Sequence, residues 1–163
     1  MIKGVVPFFT NSQLLSFVRL LLFKKKFIPL ILSGEKTQTV RLWRHSRVRA
    51  GQRSYIPGVG YITIDSVGVV RLEDLTDADA QLDGFPTADD LRTELHALYE
   101  EEIQKGFQAF QVRFTRLPEE EQIRIRAERK KQKEEQKAKK HLEHYENTMK
   151  KLRDLAKIGS EES

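Results

Sequence analysis

What most limits how this chain can fold begins at Pro118. From Glu119 to Lys140 the sequence is almost wholly Glu, Lys, Arg and Gln, strong helix formers with nothing to bury. A packed core must therefore come from the residues before it. Of 163 residues, 39% are hydrophobic and 33% charged, enough for one modest domain plus an appendage. The division expected is an N-terminal extension over 1–17 without a periodic pattern, a folded domain over 18–117 and a basic helical tail over 118–163.

Within 18–117 the apolar pattern keeps changing period. Val18 to Phe23 reads as a short buried strand ended by charge. Phe27 to Leu32 reads as a helical turn, with Pro29 in its first turn and Gly34 as a left-handed stop. Thr37, Thr39 and Arg41 alternate with Gln38, Val40 and Leu42, the two-residue period of a strand. A turn over Arg49 to Gln52, a strand over Ser54 to Ile56 and a turn at Pro57-Gly58 lead into a long strand, Tyr61 to Val70, with a bend expected at Gly68. Two helices follow. Thr76 is the N-cap of the first, and Thr87-Ala88-Asp89-Asp90 resembles a capping box opening the second, whose apolar face is Leu91, Leu95, Leu98 and Tyr99. Phe107 to Leu117 closes the domain as a strand with Phe110, Val112 and Phe114 on one face. The expected class is α+β: a small curved sheet or barrel carrying short helices, then a charged C-terminal helix.

Charge comes in blocks within a net +5. Arg19 to Arg53 is basic, opposed only by Glu35; Asp65 to Glu102 is rich in acids; Arg124 to Lys140 is basic again. Such segregation points to a polyanionic partner. The apolar run Leu14 to Phe23 is about ten residues long where a spanning helix needs roughly twenty, and Arg19 interrupts it. Lysines stand where a signal peptide would need small residues. The cysteine count is zero, which removes disulfides and thiolate sites and suits a cytoplasmic setting. His45, His96, His141 and His144 have no ligand spacing, so neither a metal nor another cofactor is expected.

Gly34-Glu35-Lys36-Thr37-Gln38-Thr39-Val40-Arg41 is the densest cluster of functional groups before the tail. Lysine beside hydroxyls can accept a proton when desolvated, and arginine offers a planar fork for phosphate or carboxylate. Spacing alone fits surface cations flanking a strand equally well. With Phe27 and Ile31-Leu32-Ser33 before it, this run resembles the opening motif of ASCH domains (activating-signal-cointegrator homology), a branch of the PUA-like barrels. Gly51 to Ile56, the stretch Leu75-Thr76-Asp77…Asp83-Gly84-Phe85, the helix Leu91…Leu95…Tyr99 and the strand Phe110 to Phe114 are similar too.

The resemblance implies a PUA-like barrel with an RNA- or nucleoside-facing cleft around Lys36, Thr39 and Arg41. Arg44 and Arg47 could extend a basic surface along a phosphate backbone. Trp43 and Tyr55 could stack bases or could be core residues. Some small ASCH proteins are amidohydrolases of N4-acetylcytidine that use Lys, Thr and an acid. Those roles map onto Lys36, Thr39 and Asp83, with Asp in place of their Glu; before Gly84, Asp83 also fits a turn. In the tail, Leu142, Tyr145, Met149, Leu152 and Ala156 recur at three- and four-residue steps for two heptads, a stripe suited to the parent domain or one partner helix. Gly159 to Ser163 is expected to fray.

Overall fold

The structure, a computed structural model, describes residues 19–161; the expected extension over 1–17 lies outside them. The chain divides between Leu117 and Pro118 into two compact units. The first has the order β1 (Arg19–Leu20), α1 (Ile28–Ser33), β2 (Gln38–Trp43), β3 (Arg53–Ile56), β4 (Gly60–Val70), α2 (Asp77–Leu82), α3 (Ala88–Gln104) and β5 (Gln108–Arg116). The second is one helix, α4 (Glu119–Glu161).

Five strands form one curled half-barrel sheet in the order β1-β3-β4-β5-β2. All pairings are antiparallel except that of β1 with β3. The α+β class and the curved sheet are as the alternation implied. Differences lie at the ends and bends. The strand expected over Val18 to Phe23 is confined to Arg19–Leu20 among the described residues; Leu21 donates one more backbone bond to Tyr55 before the chain turns toward α1. The irregularity in β4 is a register shift between Ile64 and Ser66, not a bend at Gly68, because Gly68 keeps an ordinary φ. α4 continues through Gly159 to Glu161 where fraying was expected.

Helix boundaries follow local chemistry. α1 starts with Pro29 in its first turn and stops at Gly34, whose φ is 82°. The reciprocal capping box sits on α2: Thr76 Oγ1 accepts from the Asp79 N–H, and Asp79 Oδ2 accepts from the Thr76 N–H. At α3 only the threonine half forms, since Thr87 Oγ1 accepts from the Asp90 N–H while the Asp90 carboxylate accepts from the Thr87 hydroxyl. Leu91 and Leu95 are buried as expected, but Leu98 is exposed. The helix breaks at Tyr99 (φ −130°, ψ 26°), which turns the apolar face.

Two apolar clusters hold the sheet. One gathers Phe27 and Ile31 with Ile56, Ile62, Ile64, Phe110, Val112 and Phe114. The other packs Val40 and Leu42 against Leu75, Ala80, Leu91 and Leu95. Phe85 touches both. Its position depends on Gly84, which leaves α2 with φ 87° and lies where an added Cβ would come within 3.2 Å of Leu30 and Phe27.

Gly84→Ala is therefore expected to cost more than the about 1–2 kcal/mol of a left-handed alanine. Gly51→Ala, at φ 77° with open space around it, should cost no more than that. Urea denaturation of both variants checks this; equal losses would mean the contact at Gly84 relaxes freely.

Candidate functional site

Lysine is among the residue types least often buried, yet Lys36 is 2% exposed. Gly34 ends α1, the Lys36 N–H bonds back to Leu30 C=O at 2.9 Å, and the Thr37 N–H bonds to Leu82 C=O at 3.0 Å. These bonds carry the entry to β2 against the end of α2. There Asp83 is the C-cap residue, so the turn role and the buried carboxylate belong to the same residue.

Lys36 Nζ donates three hydrogen bonds: to the Asp83 carboxylate Oδ1, to the Asp83 C=O, and to the Gln38 C=O at 3.0 Å. Its donor capacity is filled. Asp83 Oδ2 accepts from the Val40 N–H at 2.8 Å. The Phe27 and Phe23 ring centroids lie 4.7 and 5.5 Å from the ammonium. Burial among these groups lowers the Lys36 pKa, opposed by the Asp83 charge. Burial likewise raises that of Asp83, opposed by Lys36. Desolvation thus pushes both members toward their neutral forms.

Thr39 and Arg41 stand next along β2. Arg41 Nε donates to Thr39 Oγ1 at 3.1 Å and Nη2 to Leu22 C=O at 2.7 Å, with the guanidinium 4.8 Å from the Phe23 ring centroid. Thr39 is buried. No hydrogen bond joins it to Lys36, which is committed to Asp83 and Gln38.

Lys36, Thr39, Arg41 and Asp83 line one side of a cavity of about 190 Å³. Apolar side chains, among them Phe23, Phe27, Phe85, Leu91 and Leu95, form most of its wall. At its rim Lys24 Nζ meets Glu94 Oε1 at 2.5 Å, with the two side chains 50% and 25% exposed. The remaining sequence-based candidates are elsewhere. Trp43 packs on Phe110 and Tyr55 on Tyr61; Arg44 lies over Phe107 and Arg47 is exposed. None of these four lines the cavity.

Sequence reasoning missed Gln38, Glu94 and the aromatic walls. Gln38 is fully buried; its side-chain amide donates to Asp79 C=O at 3.2 Å and accepts from Arg113 at the same distance. The signal available for it was the polar residue at an inward strand position beside Thr37 and Thr39. Among the described residues no cluster of three or more His, Asp or Glu could hold a metal, and no helix is long and apolar enough to cross a membrane.

Removing one partner of a buried pair strands the other charge, at about 3–5 kcal/mol. Lys36→Met and Asp83→Leu should each lose that much in chemical denaturation, and the double variant should lose clearly less than the sum. Additive losses would show that the pair is not coupled. In Lys36→Met, Asp83 keeps a raised pKa without its counter-charge. A raised folded-state pKa gives stability that is present below the unfolded value of 3.8 and lost as pH rises through the folded one. The variant should therefore weaken relative to wild type across that window as pH increases.

No protein-family model and no curated protein matches the sequence. Solved structures do resemble it. Protein PF0455 from Pyrococcus furiosus aligns at 14% identity and TM-score 0.48 over 62% of this chain and 98% of that one. The ASCH domain from Lactobacillus crispatus JV V101 aligns at 16% and 0.47 over 54% and 68%. Both are too loose to carry weight. Hypothetical protein PH0355 aligns at 16% identity and TM-score 0.54, covering 62% of this chain and 100% of its own, so the matched part of this chain has a fold already seen in that protein.

Proposed function

We propose that residues 18–117 are an ASCH-type, PUA-like domain whose cavity receives a nucleobase or nucleoside, free or presented by RNA. The observation that carries this reading is the cavity itself: a small apolar chamber with four polar side chains gathered on one side. Drug-sized sites occupy roughly 300–1,000 Å³; about 190 Å³ suits a single ring system. A flat ring can lie against the Phe23 and Phe27 faces. Two of the five Arg41 donors are used within the protein, leaving others for a ring carbonyl. The Thr39 hydroxyl proton has no acceptor among the described residues and is available to a ring nitrogen or carbonyl. The motif resemblance around Gly34 to Arg41 points to the same ligand class.

Titrating the protein with cytidine, uridine and adenosine while recording amide chemical shifts tests the proposal. At least one nucleoside should perturb residues around the cavity, and Arg41→Ala should weaken its binding tenfold or more. Absence of any perturbation at millimolar nucleoside would sink it.

A second reading, hydrolysis of an N-acylated nucleoside such as N4-acetylcytidine, is favoured by one observation: Lys36, Thr39 and Asp83 line the same cavity. Because burial drives both members of the pair toward neutrality, proton transfer from Lys36 to Asp83 yields an amine and a carboxylic acid at once. The amine takes the Thr39 proton as its oxygen bonds to the acyl carbon. The acid protonates the leaving nitrogen as the C–N bond breaks, and water then cleaves the acyl ester. Lys36 must first turn from Gln38 toward Thr39. The rate should be bell-shaped in pH, falling in acid when the pair holds two protons and in alkali when it holds none. Release of cytidine from N4-acetylcytidine is the assay; Lys36→Ala and Thr39→Ala should each lower it at least a hundredfold. No turnover by the wild type removes this reading and leaves the binding site standing.

A further inference from the structure

α4 presents its charges unevenly. At about 100° per residue, Arg126, Lys130, Lys133, Lys137, Lys140 and Lys151 fall within a sector about 80° wide. From 122 to 151 no aspartate or glutamate enters that sector; the acids of this stretch stand on other faces. Lys130, Lys133, Lys137 and Lys140 are exposed and have no ion-pair partner among the described residues. Arg126 is held by Glu119 at 3.3 Å.

A helix kept only for solubility gains from opposite charges three or four residues apart, while like charges at that spacing repel and weaken it. From Lys130 to Lys140 lysine follows lysine at three- and four-residue steps, and Glu134 and Glu143 stand at that spacing on the flanks without pairing to them. A polyanion laid along the stripe would relieve the repulsion. We infer that this face of α4 binds the phosphodiester backbone of a nucleic acid. The four lysines advance about 5 Å along the axis per step at 1.5 Å per residue. One strand of a duplex advances about 3.4 Å per phosphate, so each ammonium meets a separate phosphate. From 130 to 140 the sector holds only flexible point charges, with no planar or aromatic side chain among them, which suits backbone contact rather than base reading. An anionic membrane fits poorly: alongside the four lysines, from 124 to 140, the rest of the helix offers only Ile125, Ala127 and Ala138. The exposed Leu142, Tyr145 and Leu152 begin beyond the last of them, whereas an interfacial helix needs its apolar face along the basic one.

The inference is independent of the cavity ligand, and its test leaves the cavity untouched. The protein is titrated with a fluorescein-labelled 20-base-pair RNA duplex, with DNA of the same sequence and with phosphatidylserine vesicles, at several salt concentrations. Lys133, Lys137 and Lys140 are changed together to Gln, and a control of equal charge changes Lys131, Lys139 and Lys150, which lie on other faces; circular dichroism verifies the helix in both. Each lost phosphate contact should flatten the log K against log salt slope by about 0.9, so the stripe variant should lose about 2 to 3 units and the control less than 1. Binding of either duplex with that asymmetry supports the inference and tells which polymer is preferred. Equal losses in both variants, no binding to either duplex at low salt, or binding only to phosphatidylserine vesicles would overturn it.

Discussion

Moving an ammonium and a carboxylate out of water costs several kcal/mol per ion, and their mutual attraction seldom returns a surplus. The pair Lys36–Asp83 is thus a poor source of stability and a strong source of position. It joins the residue that leads into β2 to the residue that ends α2. Once it is made, the Thr37-to-Leu82 backbone bond and the turn through Gly84 have one arrangement open to them. Phe85 then falls between the two apolar clusters, and the cavity is what remains between Phe85, Phe27 and the inner side of β2.

The aromatic rings around that cavity act twice. Phe23 and Phe27 stand among the groups that bury Lys36, and that burial disfavours its ammonium form relative to a surface lysine. Their faces also lie close to the Lys36 amino group and the Arg41 guanidinium, an arrangement that favours cations through the ring quadrupoles in a partly dry site. A ligand ring covering the solvent-facing side of Phe23 would raise the isolation of Lys36 further. On the proposed reading, occupancy of the cavity would shift the proton balance of the pair, and the Lys24–Glu94 bridge stands at the cavity's rim.

Much of the fold was legible because it rests on local rules. Gly34 as a left-handed stop, Pro29 in a first turn, Thr76 as a cap and the Phe110-Val112-Phe114 alternation each depend on a few neighbouring residues. Long-range facts were less so. Nothing local distinguishes Lys36 from Lys24 or Lys26, because its burial comes from α2, distant in sequence. Asp83 read both as the acid the resemblance implies and as a turn residue, which its backbone is; the direction of its carboxylate depends on where β2 passes. Trp43 and Tyr55 could not be sorted between stacking platform and packing by type alone, and each has an aromatic neighbour inside the protein. The capping box was placed at Thr87-Asp90 because Thr76-Asp79 has the same letters at the same spacing, and only α2 closes both bonds.

β2 is the outermost strand on its side of the sheet. The Thr37 C=O accepts from β5, so by the alternation of an antiparallel pair the peptide groups of Gln38 and Val40 face outward. Left bare, they would offer a template for a strand from another molecule. Here the Gln38 C=O is taken by Lys36 and the Val40 N–H by Asp83, so side chains stand where a sixth strand would pair. The groups that give the cavity its chemistry also seal the border of the sheet, and evolution could not discard the one without reopening the other to self-association.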